Sequence, residues 1–338
     1  MTWVESIAGG EVARRPLEYE SDVLGAVDWA QFNAGTLLGA WAPAPLKTST
    51  DAAPDGLDPH WIRLRETGEL TPETLDRARL TRALIDIAPN PWWVWPWIGT
   101  ALKPLVDKGF DDMTLAGSSA SMIEALRTNA MLERDRLAEA RFLELVAEGR
   151  IEFALRADAQ DFELPTAMEF EYEGRAEPLT RDDARVVEKS LLEPLIRNGL
   201  NDFESGFACY LDDKSAIEWW HRNVARRHYG LQGWKRDKVF PDFVFAVIDA
   251  PVDAPQGMRR VVVMETKGAH LEGNEDTTYK RALLERLSSL YADRRQRRAG
   301  ELELTGADGN TTVVCDLLVD TAWQGKLAMR YFAAPATA

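Results

Sequence analysis

Asp242, Glu265 and Lys267 are the residues whose types and spacing could do chemistry. Asp242 follows Pro241 at the head of an apolar run, Phe243 to Ile248, and Glu265 and Lys267 close a second run that begins at Val261. Both runs have strand length and are rich in β-branched and aromatic residues. Between them, Asp249 to Gly257 contains two prolines and a glycine, so the chain must turn back there. The two strands are therefore expected to pair, which would bring Asp242 near Glu265. Side chains alternate along a strand, so Glu265 and Lys267 should share a face while Thr266 points away. Two carboxylates and an ammonium in one small site suit a divalent cation with a water beside it. A hard cation such as Mg²⁺ takes oxygen ligands and, held by few carboxylates, keeps waters and phosphate oxygens in its other positions. The plain structural alternative is a salt bridge between Glu265 and Lys267 at a strand end.

The flanking segments must position these residues. Asp182 to Asp212 is expected to form one or two helices, interrupted near Asn198-Gly199. Val187, Leu191 and Leu195 make one apolar row, and Phe203, Phe207 and Tyr210 another. Ser215 to His221 reads as a strand, with one of Trp219 and Trp220 facing inward. Residues 277–298 read as a helix after the Glu-Thr-Lys strand, capped near Asn274 and Asp276. A later strand is expected at Thr311 to Cys315 or Asp316 to Asp320, then a closing helix or strand over Thr321 to Ala334. His221 and Arg222 end the first strand and could face the site. His270, Asn274, Asp276 and Lys280 follow the Glu-Thr-Lys turn, and Lys280 is the best placed of them to reach a phosphate.

The first half of the chain carries no site signature. Residues 1–58 are poorly patterned, and the prolines and small residues from Ala42 to Pro59 mark a loop or linker. Thr71-Pro72 resembles a helix start, followed by Leu75, Ala78, Leu80, Ala83, Leu84 and Ile87 at helical spacing. Asn90 to Trp97 packs four tryptophans into eight residues. They could stack unpaired bases, but a turn plugged into a helical core or a subunit contact is the favoured reading. Gly117 to Ala147 is the clearest helix, capped by Ser118 or Ser119. Its apolar stripe runs through Met122, Leu126, Met131 or Ala130, Leu137, Ala140, Leu143 and Val146, and Glu133 to Arg136 are expected on the wet side. The expected domains are a leader (1–58), an acidic helical domain (59–180) and an α/β domain (181–338).

Composition is that of a globular protein, with 45% hydrophobic and 28% charged residues. Cys209 and Cys315 are the only cysteines. They form neither a disulfide framework nor a zinc site, which points to the reducing cytoplasm. The four histidines stand at no zinc-ligand spacing. No apolar run approaches the roughly 20 residues that span a bilayer, so no membrane partner is expected.

The net charge of −15 argues against nucleic acid until its distribution is read. Residues 1–180 carry 17 Lys+Arg against 31 Asp+Glu, and residues 181–338 carry 23 against 24. Trp219 to Lys238 holds six basic residues, Arg222, Arg226, Arg227, Lys235, Arg236 and Lys238, against the single acid Asp237. A second basic run ends Arg294-Arg295-Gln296-Arg297-Arg298. Phosphate affinity follows local clusters rather than totals. Each cluster alone would read as a solvated face; beside the acids it reads as a strand-binding wall, with Tyr229, Trp234 and the Trp219-Trp220 pair interleaved.

Pro241-Asp242 followed by Glu265-Thr266-Lys267 resembles the PD-(D/E)xK nuclease motif. The words Trp219-Trp220-His221-Arg222-Asn223, Gly230-Leu231-Gln232-Gly233-Trp234, Glu265-Thr266-Lys267-Gly268 and Gly273-Asn274-Glu275-Asp276 narrow the likeness to the C-terminal endonuclease domain of type III restriction-type helicase–nucleases. The resemblance covers roughly residues 181–338. It implies a restriction-endonuclease-like α-β-β-β-α-β core, a mixed central sheet flanked by helices, behind the mainly α-helical domain. It also implies an Mg²⁺-dependent (Mn²⁺ possible) DNA endonuclease with Asp242 and Glu265 as metal ligands and Lys267 positioning the attacking water. A third acid usually comes from the preceding helix; Glu204 is preferred to Glu188. The implied nucleic-acid contacts are Arg222, Arg226, Arg227, Trp234, Lys235, Arg236, Lys238 and Lys280. No G-x-x-x-x-G-K-[ST] sequence occurs. The helicase that the resembled enzymes carry would therefore act in trans, in restriction or antiphage defence, or else has been cut away from this chain. Two alternatives stay open: RNA cleavage, and a non-catalytic nucleic-acid-binding or helicase-docking scaffold.

Overall fold

The computed structural model describes residues 2–8, 11–43, 74–88, 90–153, 174–228, 230–248, 259–292, 311–319 and 322–332. The expected helix start at Thr71-Pro72, the turn over 249–257, Tyr229 and the arginines of 294–298 lie outside the described residues. The chain divides into two compact units, Val23–Leu143 and Met1–Asp22 with Glu144–Ala338. No helix among the described residues is long and apolar enough to cross a membrane.

The first unit is helical: α1 (Arg77–Arg82), α2 (Pro91–Asp107), α3 (Asp112–Gly117) and most of α4 (Ser119–Ala147). Side-chain caps start the first three. Asp76 accepts from the Arg79 N–H, Asn90 from Trp92 and Asp111 from Thr114, each satisfying a donor with no partner inside its helix. Pro91 opens α2, where a missing N–H costs nothing.

The tryptophan segment is thus the start of a helix, not a turn plugged into a core. Val94, Trp97, Ile98, Ala101, Leu102 and Leu105 recur at helical spacing and are buried. Trp97 stacks on Phe32 with ring centroids 3.9 Å apart. Trp92, Trp93 and Trp95 fall off that stripe and are 85%, 40% and 52% exposed. Along α4 the buried stripe takes Ala130 rather than Met131, and Ala140 is exposed. Arg134, expected on the wet side, is buried because its position lies on the stripe between Ala130 and Leu137. Its guanidinium pairs with Asp135 at 2.7 Å.

The second unit is mixed α/β. β1 (Thr2–Ala8) pairs antiparallel with β2 (Glu11–Pro16) and with β3 (Ile151–Phe153), forming a three-stranded sheet from segments the sequence left unpatterned. The larger sheet follows helix α5 (Asp202–Asp213). Its strands are β4 (Ile217–Arg222), β5 (Phe243–Ile248), β6 (Arg259–Lys267) and β7 (Thr311–Val319), in spatial order β4-β5-β6-β7. β4, β5 and β6 run antiparallel, and β7 lies parallel to β6 after a crossover through α6 (Glu275–Ala292). A parallel neighbour requires such a crossover, since no tight turn can return the chain in the same direction. The chain then forms α7 (Trp323–Leu327) and a short π turn, Ala328–Phe332.

The core between α5 and the sheet contains a knot of aromatic rings among aliphatic side chains: Phe207 lies 4.7 Å from Phe243 and 6.2 Å from Phe245, centroid to centroid. Trp220, Met264, Leu318 and Tyr331 join them. On the outer edge, the Ser288 hydroxyl of α6 donates to the Cys315 carbonyl, and a 2.7 Å bond also links it to the Cys315 N–H. The strand β7 takes in the first later-strand candidate and residues 316–319 of the second; Asp320 lies outside the described residues.

Residues 182–196, expected to be helical, run as irregular chain with isolated bridges at Val186, Ser190 and Ile196. The reason is Asp212, whose fully buried carboxylate accepts from the backbone N–H groups of Glu188 and Lys189 and from the Trp220 indole. Arg181 stands 3.3 Å away on the same carboxylate. Those N–H groups cannot also serve a helix ladder. Asp212→Ala would leave a buried guanidinium and three donors without their acceptor. It is expected to cost about 3–5 kcal/mol, read as a lowered midpoint in urea unfolding; a loss below about 1 kcal/mol would rule out this role.

Candidate functional site

Register places the site. In the β5–β6 ladder Phe243 lies opposite Met264, so Asp242, one residue before β5, meets the end of β6 where Glu265 and Lys267 stand. The expected antiparallel pairing is therefore present, although the turn that would join the strands is outside the described residues. Two backbone clamps fix Asp242. Asn223, just past β4, donates its N–H to the Asp242 carbonyl at 2.9 Å and its side-chain amide to the Pro241 carbonyl at 2.8 Å.

Thr266 does not turn away from the acids. Its N–H and hydroxyl both donate to Asp242 Oδ2, at 2.8 and 2.7 Å. β6 stays paired with β7 through Lys267, so it is Asp242, one residue outside the β5–β6 ladder, whose Oδ2 comes within reach of the Thr266 N–H and hydroxyl. Sequence reasoning missed Thr266 and Asn223 as supports; the signal available was their place inside the quoted motif words.

Glu265 is 3% exposed. Its Oε1 meets Lys280 Nζ at 2.8 Å and Lys267 Nζ at 3.2 Å, while Asp276 Oδ2 lies 3.4 Å from both lysines. Its other oxygen, Oε2, is buried and accepts no hydrogen bond among the described residues. Burial, and then the charge of Asp242, push the Glu265 carboxyl up to about 7, against the pull of the two lysines. Burial alone would lower Lys280, but the charge and hydrogen bond of Glu265 outweigh it and hold that ammonium above its ordinary value. The pair is thus unequal: the lysine stays charged, and the carboxyl sits near the point of accepting a proton.

Arg222, at the end of β4, joins the remaining acids. Its guanidinium lies 2.6 Å from Glu204 Oε1 and 3.5 Å from Asp242 Oδ1. Glu204 also closes a capping box with Asn201 at the start of α5, its Oε2 accepting from the Asn201 N–H. Both Glu204 oxygens are therefore engaged, and among the described residues no group of three His, Cys, Asp or Glu side chains could hold a metal. Of the three acids expected to bind a cation, Asp242 and Glu265 are the two that take no part in that capping box. Glu188 is far from this role: its side chain is 66% exposed and its charge partner is Arg181.

His221 points away from Arg222, as alternation requires, and packs against His228 with ring centroids 5.0 Å apart. Burial, then His228 and Arg222, depress its imidazole to about 3, so it is neutral. His270 is exposed, and Asn274 caps α6 by accepting from the Thr277 N–H at 2.7 Å.

The basic segment divides in the same way. Trp220 is the buried member of its pair. Trp234 is buried too, edge-on to Tyr279, and so presents no stacking face. Gly233 beside it allows the loop to approach α6, since a Cβ there would collide with the Tyr279 hydroxyl and Leu283. Arg226, Arg227 and Lys238 are exposed, Lys235 is half-buried over the Tyr279 ring, and Arg236 pairs with Glu20 at 2.9 Å. A cleft of about 670 Å³ between residues 177–183, α5 and Gln324 has none of Asp242, Glu265 and Lys267 in its lining.

No family model, curated protein or solved structure matches the chain.

Glu265 yields a pH prediction. The folded protein keeps its proton up to about pH 7, whereas the ordinary carboxyl loses it at 4.5. Between these values the folded state binds more protons than the unfolded one, so this group costs stability as pH rises through the window. Glu265→Gln removes that cost. In EDTA its stability relative to wild type should rise between about pH 5 and pH 8, by up to about 3 kcal/mol. A flat difference in paired thermal melts would contradict it.

Proposed function

We propose that the chain is a divalent-metal-dependent nuclease, acting on DNA with a separate helicase in restriction or antiphage defence. The observation that carries the reading is the unpartnered Glu265 Oε2 beside Asp242, at the open ends of two adjacent strands, with two lysines on the other oxygen. A buried carboxylate oxygen with no donor is costly unless something not yet counted meets it. Two adjacent carboxylates suit Mg²⁺, which demands oxygen ligands and, held by few carboxylates, completes its shell with waters and phosphate oxygens. The element order α5-β4-β5-β6-α6-β7 also matches the α-β-β-β-α-β plan that the PD-(D/E)xK resemblance implies.

Asp242 Oδ1 and Glu265 Oε2 would hold the cation, which when bound supplies Lewis acidity and lowers the pKa of a coordinated water. Thr266 fixes Asp242 by occupying Oδ2, which leaves Oδ1 to act. Lys267 would position the water and, with Lys280, stabilise charge developing on the scissile phosphate. Arg226, Arg227 and Lys238 supply exposed positive charge for the strand. A second reading, a non-catalytic nucleic-acid-binding module, is favoured by one observation: Arg222 engages Glu204, which leaves two candidate ligands instead of three.

The deciding experiment is cleavage of duplex DNA, single-stranded DNA and RNA with Mg²⁺, Mn²⁺ or EDTA, with and without a co-purifying helicase. Asp242→Ala should abolish metal-dependent cleavage. Lys267→Ala should lower it by at least about a hundredfold, with nucleic-acid binding retained. Wild-type rates in either variant would rule out this active site, and binding without cleavage under every condition would favour the second reading.

A further inference from the structure

We propose that Arg222 and Lys280 are exchangeable counter-ions, which occupy the acids of the site when no cation is bound and pass to a nucleic-acid phosphate when one is. The consequence is that cation and nucleic acid bind cooperatively. This rests on the metal-dependent reading above.

Both proposed ligands already carry a cation from another element: Arg222 faces the Asp242 oxygen assigned to the metal, and Lys280 holds Glu265 Oε1, where a cation on Oε2 would repel it across the one carboxylate. Arg222, from β4, spans Glu204 and Asp242 at 2.6 and 3.5 Å, and Lys280, from α6, spans Glu265 and Asp276 at 2.8 and 3.4 Å. Lys267 completes a cluster of three cations against four carboxylates, Glu204, Asp242, Glu265 and Asp276. That cluster is one charge negative when every group is ionised. A divalent cation turns the excess to one positive, and a single phosphodiester group, with one negative charge, restores neutrality. The charge count therefore selects a phosphodiester as the companion of the cation.

Burial makes the coupling strong. The Arg222 and Lys280 side chains are only 13% and 19% exposed. Displaced from their acids with no anion at hand, they would be left unpaired in a poorly solvated site, which is expensive. A cation arriving alone must bear that cost. With a phosphate in place the two side chains exchange one anion for another. Coupling of this kind is reciprocal, so each ligand must tighten the other by the same factor.

The test uses the full chain and Ca²⁺, so that binding is read without cleavage, titrated by calorimetry with and without a short DNA duplex. Wild type should bind Ca²⁺ at least about tenfold more tightly with duplex present, and duplex more tightly by the same factor with Ca²⁺. Lys280→Met and Arg222→Gln should each bind Ca²⁺ alone severalfold more tightly than wild type and show a smaller coupling factor. Arg222→Lys, which restores the charge, should return toward wild type. If Arg222→Gln fails to fold, Lys280→Met carries the test. Variants that bind Ca²⁺ no more tightly than wild type, or a wild-type coupling factor of one, would overturn the proposal. An Asp242→Asn/Glu265→Gln double variant separates the two ideas. Unchanged Ca²⁺ binding there sinks the metal site itself, whereas lost binding there with unaltered affinity in Lys280→Met sinks only the counter-ion exchange.

Discussion

A carboxylate buried at the end of an apolar sheet is the constraint around which the second unit is arranged. Val261 to Met264 carry β6 through the core, and the next residue is Glu265, still 3% exposed. Removing that charge from water is costly, and the protein answers with only one satisfied oxygen. Lys280 must therefore come from α6 to within 2.8 Å, which fixes where α6 begins relative to the strand. The Asn274 cap and the Gly233 approach to Tyr279 serve that placement, one by starting the helix and the other by letting a loop lie close along it.

Asp212 and Glu265 show two treatments of a buried acid. Asp212 is saturated: three N–H donors and a guanidinium converge on it, and its effect is to hold residues 181–189 against α5 and β4. Glu265 is left half-satisfied, with an adjacent acid raising its proton affinity. A saturated acid is a structural tie with no capacity for a ligand. An acid with a spare buried oxygen at a strand end holds its proton more tightly than an ordinary carboxyl. The two differ by environment alone.

Basic residues in Trp219 to Lys238 are likewise not equivalent. Arg222 points into the acids, Arg236 is taken up by Glu20, and Arg226, Arg227 and Lys238 face solvent. Trp234, which looked like part of a stacking surface, is consumed by packing against Tyr279. In the helical unit the opposite happened: three of the four clustered tryptophans, expected in a helical core or a subunit contact, are exposed in this chain, because one face of a helix can bury only residues at its own period.

What the amino-acid order determined by itself was local. Continuous apolar runs marked β5 and β6, helical periodicity marked α4, the cap near Asn274 marked the start of α6, and the Pro-Asp and Glu-Thr-Lys words marked the strand ends where chemistry could sit. Pairing of the two runs followed because a proline- and glycine-bearing turn leaves few other courses for the chain. Tertiary structure alone decided which acid meets which cation. Glu204 and Asp242 share Arg222, Thr266 reaches back to Asp242, and residues 182–196 surrender helix formation to Asp212. Those outcomes depend on distances between segments remote in sequence and on the cost of burying each charge, and neither quantity is encoded in spacing along the chain.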